Sequence, residues 1–312
     1  MQSKKLYIYS ACLLVAALSI LPARTQNVVK PLYITEPVVH DSDDPAIWIN
    51  KANPAESLII GTDKNEDGKN GALYVFNLKG KIIREKVVRN LKRPNNVDVA
   101  YGLKLQGREV DIAVTTERYA GKLRIFSVPD MQAIDNGGLN VFEGETASGY
   151  SEPMGVALYK RPQDGNIYAI VSRKSGPEDG TYLWQYLLED DGTGNVKSTL
   201  VRKFGKFSGL LEIESVSVDN ELGYVYYSDE KAGVRKYYAD PDKGNSELAF
   251  FATAGYTDEN EGVAIYKIDD GTGYILVADQ AANEIHVYPR EGTPGKPHDH
   301  KLIKAVKIAA KT

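Results

Sequence analysis

Three short runs decide the fold: DDPAIWI (43–49), SLIIGTDK (57–64) and ALYVFNL (72–78). Each is seven or eight residues long and rich in Ile, Val, Leu, Tyr or Phe, and turn-forming Gly, Asn and Pro fall between them. Apolar runs of that length, bounded by turn residues, predict strands rather than helices. The theme then returns four times. NNVDVAYG (95–102), VDIAVTTER (110–118) and KLRIFSV (122–128) make a second copy. EPMGVALY (152–159), IYAIVSRK (167–174) and TYLWQYLL (181–188) make a third. IESVSVDN (213–220), YVYYSDE (224–230) and VRKYYA (234–239) make a fourth, and NEGVAIYK (260–267), YILVADQ (274–280) and EIHVYPR (284–290) a fifth. The copies begin near residues 44, 96, 153, 214 and 261, a spacing of 47 to 61 residues. Further apolar runs, KIIREKVVR (81–89), LVRKFG (200–205) and LIKAVKIAA (302–310), supply candidate fourth strands.

Four short antiparallel strands per unit, repeated without a linker between copies, predict an all-β fold of the β-propeller kind. Blades of the WD40 type would be shorter and would carry a Trp-Asp signature, which this sequence lacks. A spare β segment, VVKPLYITEPVVH (28–40), precedes the first copy. In a closed ring such a segment completes the last blade as its outer strand. The expected ring is therefore of six-bladed type with four-stranded antiparallel blades, five of them evident and the sixth incomplete in this chain.

Composition agrees and removes several functions. The chain of 312 residues is long enough for a large core, and its 20 Tyr and 28 Gly suit pleated surfaces and tight turns. A net charge of −4 argues against a nucleic-acid partner. Lys4 and Lys5 precede an apolar stretch from Ala11 to Leu21 that Pro22 ends. This pattern predicts a signal peptide over 1–26, a propeller domain over 27–312 and a secreted or periplasmic protein. The stretch is too short for stable membrane insertion. Cys12, the sole cysteine, lies inside it rather than after it, so a lipid anchor there is not expected. A mature chain without thiols has no disulfide, no thiolate zinc site and no cysteine nucleophile.

In each blade the first strand lines the central channel and the second returns antiparallel to it. The starts of first strands and the ends of second strands therefore share one face of the ring. The starts supply Asp43, Asp44, Asn95, Asn96, Asp98, Glu152, Glu212, Glu214, Glu259 and Glu261; the ends supply Lys64, Arg118, Lys174, Glu230 and Gln280. Singly these are ordinary turn and strand-end charges; their recurrence at the same two points of each unit is not ordinary. Crowded carboxylates repel unless a cation joins them, and oxygen ligands without Cys or clustered His suit Ca²⁺. The interleaved Lys and Arg call in addition for an anion with several oxygens, such as phosphate. A bound cation can also lower the pKa of water and so supply the nucleophile that cysteine cannot. His298 and His300, in TPGKPHDH (293–300), are expected to be solvated loop residues.

Between Asp43 and Arg290, DDPAIW, GTDK, NNVDV, TTER, PMGVALY, SRK, IESVSVDNELG, YSDE, NEGVAIY and GTGYILVADQ occur in the order found in the β-propeller phytases, which this chain resembles. The resemblance implies a six-bladed ring with several calcium ions at one end of the channel. It implies a calcium-dependent phosphomonoesterase of 3-phytase type, with phytate or other inositol phosphates as substrate and a metal-bound water attacking phosphorus. By the same resemblance Asp43, Asp44, Glu214 and Glu261 hold calcium, Glu259 stands where an Asp is usual, Val97 contributes a main-chain contact and Gln280 a structural-calcium position. Lys64, Arg118 and Lys174 match the phosphate contacts, and Glu214, Asp43 and Glu230 the cleavage site. Two departures follow from the same match. Met154 replaces a usual Tyr, and the family continues into an inner strand of blade six, opening with a T-D-G motif, that this sequence does not reach. The chain is expected to act as a monomer. A calcium lactonase-type propeller is an alternative, although a neutral ester needs no Lys64/Arg118/Lys174 cradle; a degenerate propeller that binds calcium or inositol phosphate without turnover is another.

Overall fold

Each run read as one of the first three strands of a blade is a strand in the computed structural model, which describes residues 28–309. The signal segment and Cys12 lie outside the described residues. Blade one consists of β1 (Asp41–Trp48), β2 (Leu58–Lys64), β3 (Gly71–Asn77) and β4 (Val88–Leu91). Blade two has β5 (Pro94–Leu105), β6 (Arg108–Glu117), β7 (Lys122–Val128) and β8 (Leu139–Asn140). Blade three has β9 (Pro153–Lys160), β10 (Ile167–Arg173), β11 (Leu183–Asp190) and β12 (Val196–Phe204). Blade four has β13 (Val216–Asp219), β14 (Tyr224–Asp229), β15 (Gly233–Tyr238) and β16 (Ala249–Phe251); blade five has β17 (Asn260–Asp269), β18 (Thr272–Asp279), β19 (Glu284–Pro289) and β20 (Lys304–Lys307). All five sheets run in chain order and pair antiparallel.

The outer strands depart most from the sequence pattern. Only the end of KIIREKVVR forms β4, because Arg84–Lys86 turn into a 3-10 helix. The short β8 follows no apolar run, and β16 lies in the run LAFFA (248–252), which is not among the candidate fourth strands above. An outer strand is paired on one side only and half solvated, so it needs little apolar patterning.

Where two blades abut, their inner and middle strands are covered because the blades pack sheet on sheet. Ala46, Trp48, Ile60 and Leu73 of blade one meet Val97, Ala113 and Phe126 of blade two. Similar clusters join blade two to three through Ile112, Val114, Val156 and Trp184, and three to four through Tyr168, Ile170, Val225 and Tyr227. Tyr226, Phe251, Val263 and Ile275 join four to five. At the far end of β13 a buried ion pair adds to this last junction: Arg290 Nε and Nη2 donate to Asp219 at 2.5 and 2.6 Å.

Among the described residues no such cluster joins blade five to blade one. On β1 and just past its end, the side chains that alternate with Ala46 and Trp48, Ile47 and Ile49, are about half exposed, and so is Tyr266 on β17. A cleft of about 690 Å³ runs between the two blades to the channel mouth. The segment 28–40, expected as an outer strand, makes a single parallel bridge from Val29 to Ile308. It then reaches blade one, where Glu36 N donates to Gly80 O at 2.8 Å and the Glu36 carboxylate accepts from Ile82 N at 2.8 Å. No helix among the described residues is long and apolar enough to cross a membrane.

Candidate active site at the channel mouth

The mouth is built by one backbone device used five times. Between Ser42 and Pro45, β1 advances three residues while β2 advances two. The same offset separates Pro94 from Val97, Pro153 from Val156 and Asn260 from Val263. In blade four it lies just before β13, where Ser228 N donates to Ser215 O and Glu230 N to Glu212 O. Each offset is a β-bulge, which adds a residue and re-aims side chains that strict alternation would send to opposite faces. The bulged pairs are Asp43-Asp44, Asn95-Asn96, Met154-Gly155, Ile213-Glu214 and Glu261-Gly262. They include most of the candidate ligands.

Blade three contributes space instead of a ligand. Gly155 N donates to Ser172 Oγ, which donates to Ile213 O at 2.6 Å, so β9 runs hard against the Glu214 peptide. A Cβ on Gly155 would stand 2.0 Å from Glu214 O. The Met154 side chain is buried and its carbonyl accepts from Thr116 Oγ1 at 2.6 Å.

Asp43, Asp44, Asn96, Glu214, Glu261 and Gln280 line the inner end of the cleft between blades five and one. Asp43 Oδ1 accepts from Lys64 Nζ at 2.7 Å, while its Oδ2 and Asn96 Oδ1 are buried without a partner. Asp44 accepts from Val97 N at 2.9 Å, so the Val97 main chain meets a candidate ligand through its N–H, a group that cannot itself hold a cation. Burial, which the Val97 N–H opposes and the Asp43 charge reinforces, pushes the Asp44 carboxyl up to about 8. Glu214 accepts from Asn95 Nδ2 at 2.5 Å and is likewise pushed up to about 8, first by burial and then by Asp43. Glu230 reaches about 9 through burial and the charges of Glu212, Glu214, Glu259 and Glu261. Glu261 is raised by burial and by Glu259 and Asp43. These electrostatic influences place Glu259 within the same acidic group. Asp98 acts on it from behind: its charge helps raise Asp44, while its own carboxylate accepts from Val99 N and Leu158 N and ties β5 to β9.

The bases are held by acids across the blade junctions. Arg118 Nε of blade two donates to Glu152 of blade three at 2.9 Å, and Lys174 of blade three pairs with Glu212 of blade four. Two further junction pairs went unread in the sequence because both partners sit in loops or before strands: Arg93 with Glu66 at 2.6 Å and Lys231 with Asp258 at 3.2 Å. Among the described residues no three carboxylates, imidazoles or thiols already converge on one point. A cation would have to draw on amide or main-chain oxygens as well. The orphaned Asn96 Oδ1, which lines the same cleft as Asp43, provides one.

A family model described as Phytase matches residues 3–311. The chain belongs to the phytase family. A 3-phytase of Bacillus subtilis (strain 168) is 32% identical to this phytase-family chain over 268 residues, which is 83% of the chain and 65% of the relative. The phytase-family chain thus spans about two thirds of the length of that curated relative. A solved structure described as "Structure of U3-55K" matches it at a TM-score of 0.48 and 7% identity, over 86% of this chain and 67% of that one.

Proposed function

We propose that this chain hydrolyses phosphomonoesters of phytate at the channel mouth with the help of calcium. Supporting this is an all-oxygen, partly buried donor set in which Asp43 Oδ2 and Asn96 Oδ1 lack partners, while Asp43 Oδ1 accepts from the Lys64 ammonium. Asp43, Asp44, Glu214 and Glu261 would hold the cations, with Glu259, Gln280 and the main chain at Val97 assisting. When bound, calcium would neutralise the acidic group, draw in phosphate oxygens and make water a better nucleophile. Lys64, Arg118 and Lys174, from three different blades, would bind and orient the phosphate. Glu230, whose carboxyl is pushed up first by burial and then by its acidic neighbours, would give its carboxyl proton to the leaving oxygen. Glu214 would accept a proton from the attacking water. Export through residues 1–26 and action as a monomer are part of the same proposal.

A six-bladed ring belongs to it as well. A sixth four-stranded sheet would cover the apolar faces of blades five and one that flank the cleft, where Ile47, Ile49 and Tyr266 now face outward.

The direct test is phosphate release from phytate with calcium and with a chelator; activity that survives complete calcium removal would sink the mechanism. Binding without release would mark the non-catalytic alternative. Stability supplies a second test. Without calcium, the folded state keeps protons on Asp44, Glu214 and Glu230 up to about pH 8 to 9, whereas the unfolded chain releases them in the ordinary carboxylate range. The folded state therefore binds more protons in that window, and stability should fall as pH rises through it. Thermal melts in chelator should show this fall between about pH 5 and pH 9, and calcium should stabilise far more at the upper end. Equal stabilisation at both ends would count against calcium on these carboxylates.

A further inference from the structure

Arg93 sits immediately before β5, where the chain takes a left-handed turn at φ 57, and its side chain is buried. Its guanidinium makes three kinds of contact, each to a different part of the mouth. Nε and Nη2 donate to the Glu66 carboxylate, at 3.2 and 2.6 Å, on the β2–β3 hairpin of blade one. Nη1 donates to Asn95 Oδ1, and Asn95 Nδ2 in turn donates to Glu214. Its carbon centre lies 5.6 Å from the Tyr119 ring centroid, and that of Arg118 lies 5.7 Å from the same centroid. The hairpin also leans on this ring: a Cβ on Gly68 would stand 2.6 Å from Tyr119 Cδ2.

We infer that Arg93 is a positioning residue that sets Glu214 through Asn95 and Arg118 through Tyr119, joining the proton-accepting and phosphate-binding halves of the mouth. The inference rests on the proposed phosphomonoester hydrolysis. A guanidinium suits this place and an ammonium does not. Its planar fork meets Glu66 and Asn95 in one plane while its face stays available to the ring, whereas lysine offers a point charge without direction. Asn95 has no freedom of its own here. Its oxygen is taken by Arg93, so its amide nitrogen must point to Glu214, and the line of bonds fixes which way the carboxylate turns.

Arg93→Lys keeps the charge but loses the fork and the stack, and Tyr119→Leu, at a half-exposed position, removes the ring shared by Arg93 and Arg118 while leaving the Arg93–Asn95–Glu214 line of bonds in place. With phytate as substrate, Arg93→Lys should lower kcat and raise KM, cutting kcat/KM by about tenfold to a hundredfold, the scale of a small misplacement of reacting groups. Tyr119→Leu should raise KM and leave kcat alone. Both should weaken inorganic phosphate binding by calorimetry in calcium buffer, with melting temperatures within about 4 °C of wild type. If Arg93→Lys melts early but its folded fraction keeps wild-type kcat, KM and phosphate affinity, Arg93 is a folding post and the inference is wrong. A wild-type chain that binds phosphate but releases none from phytate would overturn the proposed function alone. The loss of phosphate affinity in the two variants would then still decide for Arg93. Absence of phosphate binding in the wild type would overturn both.

Discussion

Glu214→Gln is expected to cut phosphate release from phytate by about a hundredfold to ten-thousandfold, the usual weight of a positioned proton-transfer group. The substitution keeps shape and keeps an oxygen for the Asn95 Nδ2 donor, so the mouth should hold its form. What it removes is a charge that burial and Asp43 already push toward neutrality. In chelator the variant should therefore melt at or above the wild-type temperature, most clearly near pH 9. Lower activity with equal or higher stability is the pattern of a functional group kept at a structural cost. Initial rates at saturating calcium, together with melts in chelator, check both halves. Wild-type turnover in Glu214→Gln would remove Glu214 from the mechanism.

Arg290→Met is expected to cost about 3 to 5 kcal/mol of folding stability, because it leaves the Asp219 carboxylate buried without its ion-pair partner. Both side chains are almost wholly buried, and two hydrogen bonds join them. The pair lies at the opposite end of blades four and five from the mouth, so kcat per folded molecule should not change. Urea unfolding of the variant, and of Arg290→Met combined with Asp219→Leu, separates the two terms in the cost. Removing both charges should recover most of the loss, since an apolar pair carries no stranded charge. A double variant as unstable as the single one would mean that packing, not the lone carboxylate, sets the cost.

The blades were legible because their inner strands are buried on two faces, which forces continuous apolar runs such as IYAIVSR in β10, buried at every residue. The acids and bases were legible for a related reason: repeat geometry brings equivalent positions to one rim. The bulges were not. Asp-Asp, Asn-Asn, Met-Gly, Ile-Glu and Glu-Gly share no chemistry, and an extra residue in a strand is a matter of register that no single run displays. Arg93 was missed because its role depends on partners 27 residues before it and 119 residues beyond Asn95. His300 went the other way. Read as a solvated loop residue, it is buried against Phe251, 4.7 Å between ring centroids, with Nε2 3.1 Å from Lys236 Nζ. Whether a Pro/Gly-flanked loop lies in water or on a neighbouring blade is decided by the fold, not by the loop.

The acid–base pairs at the mouth carry a thermodynamic consequence. Lys64, Arg118 and Lys174 are each held by an acid, Asp43, Glu152 and Glu212, when no ligand is present. An arriving phosphate competes with those carboxylates, and each one it displaces becomes an unpaired anion next to a donor set short of positive charge. A cation that takes up the released carboxylates makes the phosphate cheaper to bind, and the phosphate returns the favour by the same factor. On the proposed function, anion and cation at this mouth would thus be heterotropic partners. Phosphate affinity measured across a calcium titration, and calcium affinity across a phosphate titration, should rise by one common ratio; independent affinities would mean that the ion pairs stay closed.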